Sequence, residues 1–177
     1  MKKLFLTLAL VFTGIFAANA QLWIGGGLGA DINKNYTQFS VAPEVGYSFP
    51  NSPFTLAIGA GYTYNSPKVG PVTNTLSLQP YFRYVPVTIA DKFSLFLDLT
   101  GDFGLIDYYS PDGKLAYAVM VQPGIAWMAT EHWTAAFRFG KIGYNHNFYK
   151  NGEDVPTEGF LLGCDLASPS IRIYYNF

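Results

Sequence analysis

The chain has one cysteine, two histidines, and charged residues at only 13% of its 177 positions. The lone Cys164 forms no intramolecular disulfide, so cysteine usage says nothing of the compartment. With charge this scarce against the roughly one quarter usual in globular proteins, and aromatics at 18%, an entirely water-facing surface is excluded and some apolar surface is expected to face lipid. Eleven basic residues against twelve acidic ones offer no positive field, which excludes a nucleic acid partner. Long apolar runs are also missing. Beyond residue 20 no stretch approaches the ~20 apolar residues of a membrane helix, and a closed β-barrel is then the only structure that can span a bilayer.

What is present fits such a barrel. Lys2 and Lys3 precede an apolar stretch from Leu4 to Ala18, and Ala18-Asn19-Ala20 is a small-x-small cleavage site of the secretory type. Residues 1–20 are therefore expected to be a signal peptide, and 21–177 a single barrel domain. About 157 residues leave room for one small barrel.

Period-two alternation recurs along the rest of the chain. Odd positions from Phe39 to Phe49 are mostly apolar, with Ser40, Ala42, Glu44, Gly46 and Ser48 between them. Even positions carry the apolar series from Phe54 to Tyr64. Leu76–Tyr84, Phe93–Phe103, Leu115–Trp127 and Trp133–Phe139 alternate likewise, and Leu22–Ile32 and a final run from Phe160 bring the count to about eight. Each run approaches the ~9–11 residues of a tilted spanning strand. Connections at Pro50–Pro53, Pro86–Asp91 and Thr130–His132 are short, whereas Ser66–Thr73, Gly104–Lys114 and Phe148–Thr157 are longer. Outer-membrane barrels keep short turns in the periplasm, so both termini are expected there. The connection near Asn33–Tyr36 is short for an outer loop.

An internal repeat supports this layout. Val41-Ala42-Pro43-Glu44-Val45-Gly46-Tyr47, Leu78-Gln79-Pro80-Tyr81-Phe82-Arg83-Tyr84 and Val121-Gln122-Pro123-Gly124-Ile125-Ala126-Trp127 share one pattern, with a weaker copy at Pro169–Ile173. A mid-strand proline removes a ladder donor, which predicts a bulge at each copy. If the copies mark one depth, Glu44, Gln79 and Gln122 face inward beside Gly59, Asp98 and Arg138, with Arg83 lower in the lumen. Side chains can fill a barrel of about eight strands, and buried charges persist only when paired. Arg138 is accordingly expected to bridge Glu44 and Asp98 as a structural plug, the alternative being a solute path.

On the outward face, Tyr47, Phe49, Phe54, Tyr84, Trp127 and Trp133 near the short turns, and Tyr62, Tyr64, Phe103 and Tyr144 near the long loops, form two interfacial girdles. A soluble ligand-binding barrel would need a charged exterior instead. Catalytic signals are weak. His132 and His146 fall a membrane width apart and share no metal, and His146 has Tyr144, Asn145 and Asn147 as neighbours but no serine. Gly25-Gly26-Gly27-Leu28-Gly29 opens no helix, so it reads as relief of crowding where the first strand closes the barrel. Cys164 is expected to face lipid, and Lys141 to snorkel outward beyond Phe137 and Phe139. Apolar positions are even from Phe160 to Leu166 and odd from Pro169 to Phe177, which predicts a bulge near Ala167 and Ser168.

Ala18-Asn19-Ala20 before Gln21, Pro80-Tyr81-Phe82-Arg83-Tyr84, Lys92-Phe93-Ser94-Leu95-Phe96-Leu97 and Ile173-Tyr174-Tyr175-Asn176-Phe177 together give the chain its resemblance to a known group. It is similar to the small outer-membrane β-barrel proteins of Bacteroidetes-type bacteria and, more broadly, to the eight-stranded OmpA and OmpX type. The resemblance implies an all-β, eight-stranded, antiparallel up-and-down transmembrane barrel in the bacterial outer membrane. It also implies that Tyr175 and Phe177 are read by the barrel-assembly machinery.

The expectation is a monomeric, non-enzymatic barrel without cofactor or metal. Its role is structural or adhesive, with a protein or glycan met through loops such as Asp107–Asp112 and Tyr149–Asp154. A narrow channel for small solutes and a lipid-modifying enzyme centred on His146 are the alternatives.

Overall fold

The computed structural model describes residues 21–32, 35–106, 114–147, 157–164 and 170–177. The expected signal peptide, the bulge near Ala167 and Ser168, Pro169 and the two tyrosine-bearing loops lie outside these residues, as does the side chain of Cys164. Ten β segments follow in chain order: β1 (Leu22–Ile32), β2 (Tyr36–Ser48), β3 (Phe54–Pro67), β4 (Thr73–Ile89), β5 (Phe93–Ile106), β6 (Lys114–Met128), β7 (Trp133–Arg138), β8 (Gly140–Asn147), β9 (Thr157–Cys164) and β10 (Ser170–Asn176). They occupy eight positions around a closed antiparallel barrel. β7 and β8 are two halves of one position and both pair with β6. β9 and β10 continue the next, pairing with β8 and β7 respectively. β10 returns to β1 from Trp23↔Asn176 to Gly27↔Arg172, which closes the ring.

Tight turns hold one end together. Ser52 N–H donates to the Phe49 carbonyl at 3.2 Å, with Pro50 second in the turn and Asn51 third at φ 54°. That is the residue choice of a type II turn. Lys92 N–H donates to the Ile89 carbonyl at 3.2 Å, and Ala90 and Asp91 both have positive φ, 51° and 54°. Two left-handed central residues make this a type I′ hairpin, whose twist matches the strands it joins. Between β6 and β7 the Thr130 hydroxyl accepts from the amides of Trp133 at 3.0 Å and His132 at 3.3 Å. Gln21, Leu22, Asn176 and Phe177 are hydrogen-bonded at this same end.

Pro43 and Pro80 do not bulge as expected. β2 keeps one register through Pro43 against both β1 and β3, and β4 does so through Pro80. Glycines lie beside them on the neighbouring strands, with the closest approach at Gly26. A Cβ at Gly26 would overlap the backbone of Ala42 and Pro43, and one at Gly101 or Gly140 would lie 3.7 Å or 3.3 Å from the rings of Pro80 and Pro123. The register does shift between Tyr84 and Val87 in β4. It shifts again opposite Pro123, where the pairs Gly124↔Arg138 and Val121↔Ile142 leave one extra residue between β7 and β8. This second shift corrects the expectation for Lys141. Past it Ile142, Tyr144 and His146 face outward, so Lys141, next to Ile142, falls on the lumen side of the wall.

Leu56, Ile58, Leu78, Leu97, Leu99 and Val119 stand exposed in the middle of the outer face. Towards the turns this surface becomes aromatic, with Phe54 packed on Phe82 and Tyr84 at 5.1 and 5.3 Å. At the other end Phe39 pairs with Tyr64, Phe103 with Tyr117, and Tyr144 with Phe160. The inside is reversed. Trp23, Tyr81, Phe96 and Tyr174 are buried together with Ala57 and Ala136 as one cluster in the lumen. A Cβ at Gly46 would overlap the Trp23 indole, one at Gly25 the Tyr174 ring, and one at Gly124 the Phe96 ring. Large rings on some strands thus require bare backbone on their neighbours, because eight strands enclose little more than side-chain volume. Crowding relief at Gly25 is what its place at the closing seam suggested.

Candidate functional site

Among these rings lies a cluster of charged residues. Arg83 on β4 and Asp98 on β5 are direct cross-strand partners, a pairing that needs only the strand register to form. Arg83 Nε donates to Asp98 Oδ1 at 2.7 Å and Nη2 to Oδ2 at 2.9 Å, a two-pronged contact. From across the barrel Arg138 Nε donates to the same Oδ2 at 2.8 Å, with Nη2 in ion-pair contact at 2.7 Å. Asp98 has 0% exposure and both arginines are buried. Aromatic rings flank the cations: the Arg83 guanidinium lies 4.0 Å from the Phe96 ring centroid, and that of Arg138 lies 4.7 Å from Tyr81. Such contacts are worth about 0.5–2 kcal/mol each.

Glu44 completes the cluster from β2. Its Oε2 accepts from the Tyr81 hydroxyl at 2.8 Å, its Oε1 lies 3.8 Å from Arg138 Nη1, and Arg172 of β10 is in ion-pair contact with Oε1. Gly59, the cross-strand partner of Glu44, leaves it room, since a Cβ there would sit 3.1 Å from Glu44 Cγ. Arg172 Nη2 also donates to Gln79 Oε1 at 3.4 Å, and Gln79 Nε2 to Asp102 Oδ2 at 3.2 Å. Gln122 accepts from Thr100 Oγ1 at 3.2 Å. Three arginines therefore face three carboxylates, Glu44, Asp98 and Asp102, and the charge of Lys141 is felt by Asp102.

Of the expected set, Glu44, Arg83, Asp98 and Arg138 are thus brought into one ionic cluster, while Gln79 bonds Asp102 nearer the long loops and Gln122 bonds Thr100. Arg83, nearer the short turns than Gln79 on β4, joins Arg138 in contact with Asp98, each at 2.7 Å. Arg172 was missed although it is the nearer cation to Glu44. Parity on the last strand points Arg172 inward, but counting a single depth from the prolines leaves it out. Tyr81 and Tyr174 were missed as lumen residues for another reason: tyrosine reads by default as a girdle residue. Tyr175 faces outward beside Trp133, 5.1 Å between ring centroids, and Phe177 follows it at 5.3 Å. His132 stacks on Tyr175 with Nδ1 3.0 Å from the Asn176 carbonyl, while His146 stacks on Tyr117 near the far end. Among the described residues no three of His, Cys, Asp and Glu are grouped to hold a metal ion.

No protein-family model matches the chain, and no curated protein matches it in sequence. Solved structures do match. Neisserial surface protein A (NspA) aligns over 89% of this chain and 98% of its own, with a TM-score of 0.54 at 12% identity. OmpT, an outer membrane protein of Vibrio cholerae, aligns over 89% of this chain and 52% of its own, with a TM-score of 0.35 at 12% identity. The likeness to NspA shows a shared eight-stranded barrel fold.

Proposed function

We propose that the protein is an outer-membrane barrel that crosses the bilayer through its apolar outer face, is closed inside by its own side chains, and acts through the loops opposite the short turns. The observation that carries this reading is the fully buried Asp98, clamped by Arg83 and Arg138 across the lumen, inside a barrel whose outer surface is aliphatic between two aromatic bands. That inversion of a soluble protein suits lipid outside and a fixed polar core inside. The resemblance to small barrels of the Bacteroidetes, OmpA and OmpX type supports the location, as does the secretory pattern at Ala18-Asn19-Ala20. It also favours a monomer folded by the barrel-assembly machinery through Tyr175 and Phe177. In this reading the short turns and both termini face the periplasm, and the loops that carry Asp107–Asp112 and Tyr149–Asp154 meet a protein or glycan.

An epitope tag placed between β5 and β6 tests the orientation. On intact cells an antibody should reach it while one against a tag after Phe177 should not. Labelling of the carboxy-terminal tag alone would reverse the barrel and remove the loops from the cell surface.

A further inference from the structure

The charged cluster closes the lumen on one side only. Towards the long loops the inward positions shrink to Ser40, Gly61, Gly104, Ala116 and Ala118, and a cavity of about 220 Å³ opens among Thr63, Thr75, Ser77, Gln79, Asp102 and Ala118. We propose that this cavity is a blind cup that binds a small, uncharged, hydroxyl-rich solute of monosaccharide size.

The argument is one of charge, hydrogen bonding and volume. Gln79 and Asp102 form the floor, and the Gln79 amide is the one hydrogen-bond partner of Asp102 among the described residues, held to Oδ2. Oδ1 is left to accept from a ligand. Thr63 and Thr75 are cross-strand partners and Ser77 follows on the same face, so three hydroxyls line one wall. Hydroxyls both donate and accept, and a carboxylate only accepts, which complements a solute that carries several O–H groups. An anion would meet Asp102, and a cation would meet Arg172, bound to Gln79 Oε1, and Lys141, whose charge reaches Asp102. A neutral solute meets neither repulsion. The volume is below the ~300 Å³ at which pockets for drug-sized ligands begin. The proposal rests on the closed lumen and not on what the loops bind.

Saturation-transfer NMR on the whole barrel, refolded in dodecylphosphocholine micelles, tests it with glucose, glucosamine and glucuronate as probes of one size and three charges. Glucose should receive saturation, and the two charged sugars should bind about tenfold more weakly. Thr75→Val, which keeps the volume, and Asp102→Asn should each weaken glucose by about tenfold, the scale of one lost hydrogen bond to a polar or charged group. Ser77→Leu should abolish the signal by filling the cup. Heat-dependent gel mobility identifies folded variants, and Thr75→Val remains decisive if Ser77→Leu misfolds. The proposal is overturned if no sugar receives saturation, if a charged sugar is preferred, or if folded Thr75→Val binds glucose like the wild type.

Discussion

At the scale of single residues the molecule depends on Asp98. It is a carboxylate without solvent, and each of its oxygens is engaged by arginine: Oδ1 by Arg83, Oδ2 by Arg83 and Arg138. Removing one partner leaves charge buried and under-compensated, which in protein interiors costs about 3–5 kcal/mol. Arg138→Leu should therefore lower the stability of the refolded barrel by about that amount, read as a fall in the urea midpoint in lipid vesicles. Arg138→Lys keeps the charge but loses the fork that spans Asp98 and Glu44, and should fall between the two. A midpoint unchanged in Arg138→Leu would mean that Arg83 alone satisfies Asp98 and that the bridge is dispensable.

At the scale of elements, the shift between β7 and β8 decides which side of the wall each residue of β8 occupies, because a one-residue slip exchanges inside and outside. In a Cys164→Ser background, Lys141→Cys should react with a water-soluble thiol reagent, and Ile142→Cys should react only with a lipid-partitioning one. The reverse pattern would move the shift elsewhere. This is also where the sequence stops being sufficient. Strand positions from Leu22 to Trp127 were legible because each apolar series keeps one parity, and Leu22–Ile32 was found to the residue. Extents were not: β4 runs from Thr73 to Ile89, beyond the expected Leu76–Tyr84. Its end lies past a register shift, where the parity changes under Val85 and Pro86. A proline shows that a ladder donor is missing, but not whether the partner strand answers with a bulge, as opposite Pro123, or with a closely approaching glycine, as at Gly26 beside Pro43. Glu44, Asp98 and Arg138 were legible as a set because charge on the small-residue face of a narrow barrel has few places to go. Which arginine takes which carboxylate depends on strand stagger, which a linear sequence does not contain.

At the scale of the whole molecule, the barrel combines an apolar exterior with aromatic and ionic side chains packed together across the lumen. Trp23, Phe96, Tyr81 and Tyr174 interdigitate with Arg83, Asp98, Arg138, Glu44 and Arg172 in the same stretch of the lumen. On the proposed reading this packing leaves no continuous path for ions among the described residues, whatever the outer loops bind. Single-channel recording of residues 21–177, refolded into a planar bilayer, tests this central claim most directly. The account predicts insertion without stable conductance in the wild type, and intermittent opening when Arg138 and Phe96 are both replaced by alanine. Steady ohmic conductance in the wild type would contradict it and make the charged cluster the selectivity site of a channel.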